Sequence, residues 1–150
     1  MAEVMNPDRP KKLSLVVFSG QFDKVHYALV MASAAAAIDT PVTLFFTMEA
    51  VRNILKPGAD GAASWSSQTT SMCLETGADM DAGFKEHGVA DFETLLTACR
   101  DMGVRFMVCE MGLKSMALKR EDIREDLVIE MGGVVTFLND ASQDGSVMFV

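Results

Sequence analysis

Cysteine is scarce in this chain, and its placing excludes a disulfide scaffold. Cys73, Cys99 and Cys109 are an odd number at irregular spacing, whereas a stapled secreted domain carries an even, patterned set. A reducing cytoplasm suits such thiols. Histidine is scarcer still: His26 and His87 stand far from one another, and no C-x-x-C pair occurs. Zinc-ligand spacing is therefore missing, and neither a metal nor a cofactor is expected. Basic charge is also in short supply, with 13 Lys and Arg against 21 Asp and Glu and a net charge of −8. The only basic pairs are Lys11-Lys12 and Lys119-Arg120. That balance argues against nucleic acid and anionic membrane surfaces as partners.

Long apolar runs are missing as well. The uncharged stretch from Val25 to Ile38 is too short to span a bilayer. The start, Met1 to Lys12, is polar and holds Pro7 and Pro10, so it lacks the apolar centre of a signal peptide and is expected to be a flexible tail. Phosphate-loop and dinucleotide spacings are absent, as is a G-x-S-x-G elbow.

What remains is a 150-residue chain with 49% apolar and 23% charged residues, enough for one domain with a real core. Leu13 to Phe18 and Pro41 to Phe46 read as buried strands, Arg105 to Val108 as a third and Val147 to Val150 as a closing one. Helices are expected over Val25–Ile38, Met48–Leu55, Asp91–Met102, Leu113–Leu118 and Met131–Ala141, with partial helix at Ala82–His87. The alternation predicts an α/β fold whose mainly parallel sheet has helices on both faces. Residues 57–90, rich in Gly, Ala, Ser and Thr, form a long insertion that reads as a mobile loop or lid. Val25–Ile38 is apolar or small almost all round, so the sheet can cover only part of it. A subunit interface, or burial within its own domain, must cover the rest.

Cys109 is the candidate nucleophile. It closes the apolar run Val104 to Val108 and precedes Glu110-Met111-Gly112-Leu113, a strand-to-helix junction of the kind where α/β sheets collect ligands. Unpaired N–H groups of the outgoing helix favour a thiolate there. Cys99 falls on the apolar stripe Phe92, Leu95, Leu96, Cys99 and reads as core. Thr70-Ser71-Met72-Cys73 shares one spacing with peroxiredoxins, but Ser66 stands where their proline is expected.

Gly88-Val89, Phe92, Leu95, Leu96, Gly103-Val104-Arg105-Phe106, Cys109-Glu110-Met111 and Ser115-Met116 together resemble the cysteine-centred core of DsrE/DsrF-like sulfur-relay proteins. Asp23, Lys24, His26, Ala28 and Leu29 near the start agree, as do Gly132-Gly133-Val134 and Thr136-Phe137-Leu138 near the end. The resemblance implies a three-layer α/β/α domain of about five strands over residues 13–150 and assembly into trimers or hexamers. It also implies a sulfurtransferase or sulfur-carrier role, with a persulfide on Cys109 passed between donor and acceptor proteins. In that picture the N–H groups of Met111, Gly112 and Leu113 stabilise the sulfur, Lys114 is a second cation, and Trp65 belongs to a lid. Glu110 opposes thiolate formation, and the long insertion departs from the nearest relatives. A non-catalytic assembly protein and a thiol redox enzyme remain alternatives.

Overall fold

The computed structural model describes residues 4–150; part of the tail expected over residues 1–12 thus lies outside the described residues. Five strands build one sheet: β1 (Leu13–Val17), β2 (Val42–Phe46), β3 (Arg105–Cys109), β4 (Ile129–Gly132) and β5 (Ser146–Phe149). Their order is β4-β3-β2-β1-β5, and every pairing is parallel. Parallel neighbours require crossovers, and α1 (Phe22–Ala37), α3 (Phe92–Asp101) and α5 (Val134–Asp140) lie in them. The remaining helices are α2 (Gly77–Glu86) and the single short turn of α4 (Glu110–Ser115), which begins directly at the end of β3.

Side-chain alternation sorts the sheet into two faces. Leu15, Val17, Leu44, Phe46, Phe106 and Val108 join α1 and α3 in the main core. Phe45, Met107 and Cys109 point the other way and pack with Phe137 of α5 in a second cluster. The result is three layers, α/β/α. No described helix is long and apolar enough to cross a membrane.

Part of the covering of α1 is found within the chain, while Tyr27, Ala34 and Ala37 remain exposed. Phe22, Val25, His26, Ala28, Leu29 and Ala32 are all buried, and the His26 ring accompanies Phe84 at 4.3 Å while its Nε2 lies 2.9 Å from the Ala90 carbonyl oxygen. Ala35 and Ala36 are half-buried against the same core.

Three local outcomes differ from the sequence reading. The final helix does not start at Met131, because Ile129 to Gly132 form edge strand β4. Its exposed Glu130 is held by Arg105 of β3, so a charge that disguises the strand also pins it. Met48–Ile54 is 3₁₀ rather than α-helical. The insertion is partly built: Ser64–Ser67 form a 3₁₀ turn, and α2 starts at Gly77, earlier than expected, because Thr76 and Asp79 make a reciprocal capping box.

Candidate functional site

The carboxyl edge of the sheet around β3 is a place where backbone comes unusually close to backbone. The segment Thr47–Met48 leaves β2 with Met48 at φ 50°, a left-handed conformation that costs a non-glycine residue energy. Gly112 of α4 lies against it: a Cβ there would stand 2.8 Å from the Met48 nitrogen and 2.9 Å from Thr47 Oγ1. On the other side, a Cβ on Gly20 would meet the Glu49 Cβ at 2.8 Å. Only glycine lets the three loops after β1, β2 and β3 nest so tightly.

Cys109 sits within this edge as the last residue of β3 and the cap position of α4. Register places Gly132 beside it on β4. On the β2 side the pairing Phe46↔Val108 brings Thr47 to the same level. The thiol side faces Phe45, Met107 and Phe137, with the Phe45 and Phe137 rings stacked at 4.9 Å. Cys109 is 1% exposed and makes no side-chain capping bond to α4. An aromatic, apolar surround, rather than a bonded ring of helix N–H groups, is what the sulfur meets.

The residues expected around it distribute as follows. Met111 and Lys114 are at the surface, and Gly112 is buried against Thr47. Leu113 turns into the main core, so only its backbone belongs to this edge. Trp65 lies apart from Cys109: it packs on Phe22 and Phe92 in the core on the opposite face of the sheet. Its indole N–H donates to Glu93 Oε1 at 2.8 Å, and Arg124 clamps the same carboxylate through both oxygens. A large ring with one polar handle is best satisfied in that setting, which replaces the expected place over the thiol. Burial disfavours the charged form of Glu93, yet the bonds from Arg124 and Trp65 outweigh it and lower its pKa.

The other two thiols differ sharply. Cys99 is fully buried, and desolvation pushes its thiol up to about 12. Cys73 is exposed at a left-handed φ of 54°, between exposed Met72 and Leu74. Asp23 of α1 holds the base of that loop by accepting from the Ser71 N–H at 2.8 Å and from the Ser71 hydroxyl. Among the described residues, no three His, Cys, Asp or Glu side chains converge on a metal position. Thr47 escapes a sequence reading because its nearness to Cys109 depends on the strand order.

Residues 11–149 match the DsrE/DsrF-like family. The chain belongs to that family. Among its relatives is the uncharacterized protein YrkE of Bacillus subtilis, 26% identical, with 95% of this chain and 99% of that one aligned. Another is the sulfur carrier protein DsrE2 of Allochromatium vinosum, 23% identical over 93% of this chain and 98% of that one. Two solved structures share the fold. One is the ychN protein of E. coli (TM-score 0.55, 11% identity, 93% and 99% of the two chains). The other is MTH1491 of Methanobacterium thermoautotrophicum, of unknown function (TM-score 0.52, 9% identity, 93% and 98%). A DsrE/DsrF-like sheet of five parallel strands with helices on both faces is thus the frame in which Cys109 stands.

Proposed function

We propose that this DsrE/DsrF-like protein carries sulfur as a persulfide on Cys109, serving a sulfur relay in the cytoplasm between donor and acceptor proteins. The observation that carries the reading is the end-to-end similarity to a sulfur carrier, in a chain whose β3 ends in a thiol. The Cys109 thiolate attacks the outer sulfur of a donor persulfide. The donor S–S bond breaks, its electron pair leaves on the donor thiolate, and the transferred sulfur becomes bonded to Cys109 with no net oxidation. Burial then shields the loaded sulfur from stray thiols, and both loading and delivery require the α5 cover, with Phe137, to open. Backbone N–H groups of Met111, Gly112 and Leu113 and the charge of Lys114 steady the outer sulfur once it projects from the strand end.

The protein works as a homo-oligomer, a trimer or a pair of trimers. Support comes from apolar side chains left exposed on the α5 side and on β5: Val135, Leu138, Val147 and Phe149.

A second reading places first acceptance of sulfur at Cys73, favoured by its exposure, with or without onward passage to Cys109. Incubation with glutathione persulfide followed by intact-protein and peptide mass measurement separates the two. Under the first reading Cys109→Ser abolishes retention of an added sulfur and Cys73→Ser keeps it. The opposite pattern assigns the carrier role to Cys73, and no retention in the wild type overturns both.

A further inference from the structure

Thr47 has a hydroxyl with no structural task at the level of the candidate nucleophile. Along β2, Thr43 reaches Asp140 of α5 through a 2.6 Å hydrogen bond, and Phe45 stacks on Phe137 of α5. These two alternate positions therefore face α5. Thr47 follows in extended geometry, φ −141° and ψ 158°, so it continues that face. Cys109 faces α5 too, and the β2–β3 register puts Thr47 next to it. Thr47 is 7% exposed, yet its side chain makes no capping bond to the 3₁₀ turn it precedes. Its Oγ1 instead packs closely on Gly112, 2.9 Å from where a Cβ would be. A polar side chain that is more than nine-tenths buried ordinarily finds a partner, and Cys109 is the neighbour of Thr47 on this face of the sheet.

We propose that the Thr47 hydroxyl donates a hydrogen bond to the sulfur anion at Cys109, first the thiolate and then the outer persulfide sulfur, acting as a catalytic residue of the carrier cycle. This rests on the reading that Cys109 carries the sulfur. Few charges compete. Glu110 and Lys114 of α4 are at the surface, Glu49 beyond β2 pairs with Arg52, Glu130 of β4 pairs with Arg105, and Asp140 occupies the far end of α5.

The test compares Thr47→Val, which keeps the shape and removes the hydroxyl, with Thr47→Ser, which keeps the hydroxyl and removes a methyl. Alkylation of Cys109 by iodoacetamide is followed by peptide mass across a pH series, with thermal melting as a check on the fold. Thr47→Val is expected to slow alkylation about tenfold at fixed pH, the scale of one hydrogen bond to a charged group, and to move the whole profile to higher pH. Thr47→Ser is expected to follow the wild type. Equal profiles for all three proteins, or equal slowing in both variants, overturn the proposal, since the second pattern reports lost packing. Sulfur retention by wild-type Cys109 is measured in parallel. Its absence defeats the carrier reading itself, whereas retention with unchanged profiles defeats only the role of Thr47.

Discussion

Gly112 and Met48 are locked by backbone contact: a single added methyl on Gly112 would lie 2.8 Å from the Met48 nitrogen. Met48 already holds a left-handed φ of 50°, so it has little freedom to retreat. Gly112→Ala is therefore expected to destabilise the protein by about 1–3 kcal/mol, the usual range for overpacking. Gly133→Ala makes the matched control, because nothing lies within 4 Å of its added Cβ. Thermal or urea melts of the two variants decide the point, and equal stability would mean that the edge relaxes freely.

Thiol access should follow exposure. Cys73 is exposed, Cys109 is covered, and Cys99 is both covered and pushed up to about 12 by burial. A limiting dose of alkylating reagent on the native protein is expected to label Cys73 first and Cys109 more slowly. Cys99 should react only after unfolding. Peptide mass measurement reads this order, and early modification of Cys99 would contradict the packing of α3 on α1.

Asp140 gives the fold an acid-sensitive joint. Burial raises the cost of its charge, but hydrogen bonds from Lys12 and Thr43 and the nearby charges of Lys12 and Arg105 prevail, leaving its pKa lowered. The unfolded chain therefore binds this proton at a higher pH than the folded one. The resulting stabilisation is fully present above the unfolded carboxylate value of about 3.9 and is lost as pH falls through the lower folded value. Asp140→Asn should reduce stability near neutrality and flatten its decline in the acid range, as measured by urea midpoints at several pH values.

The Trp65–Glu93–Arg124 chain ties the insertion to α3 and to the segment before β4. Arg124→Met is expected to cost about 1–3 kcal/mol, because it leaves the Glu93 carboxylate without its two charge-assisted bonds. The same change should alter the fluorescence of Trp65, the one tryptophan of the chain. An unchanged spectrum with unchanged stability would show that the clamp is ornamental.

Assembly is expected to depend on the α5 side. Val135→Asp or Leu138→Asp, both at exposed positions, should shift the protein toward monomers in light scattering. Ala34→Glu, on the outer side of α1, should not. A monomeric wild type at micromolar concentration would remove the oligomer from the proposal.

Much of this fold was legible because burial on both faces writes apolar runs into β1, β2 and β3, and because α3 carries a strict 3.6-residue stripe whose members Phe92, Leu95, Leu96 and Cys99 are all buried. β4 was hidden, since an edge strand needs only alternate burial and Glu130 breaks the run. The uncharged face of α1 invited two explanations, and internal packing supplies a large part of the answer. The strand-end position of Cys109 could be read directly. Its direction into the Phe45–Phe137 layer could not, nor could its nearness to Thr47, since both depend on which strand becomes its neighbour. Trp65 misled for a related reason: a lone tryptophan in a polar segment looks like a lid until Glu93 and Phe92 are placed beside it.

The sheet order also sets a schedule for synthesis. β1 pairs on one side with β2, close in sequence, but on the other with β5, where Leu13 meets Ser146 and Val16 meets Phe149. While the chain is being made, β1 must wait as an open edge until almost every other element has emerged from the ribosome. Such late, long-range parallel pairing is slow and leaves an adhesive edge unpaired in the meantime. The nascent chain is therefore most vulnerable to sticking just before β5 closes the sheet, and a chaperone that masks β1 would act in that interval.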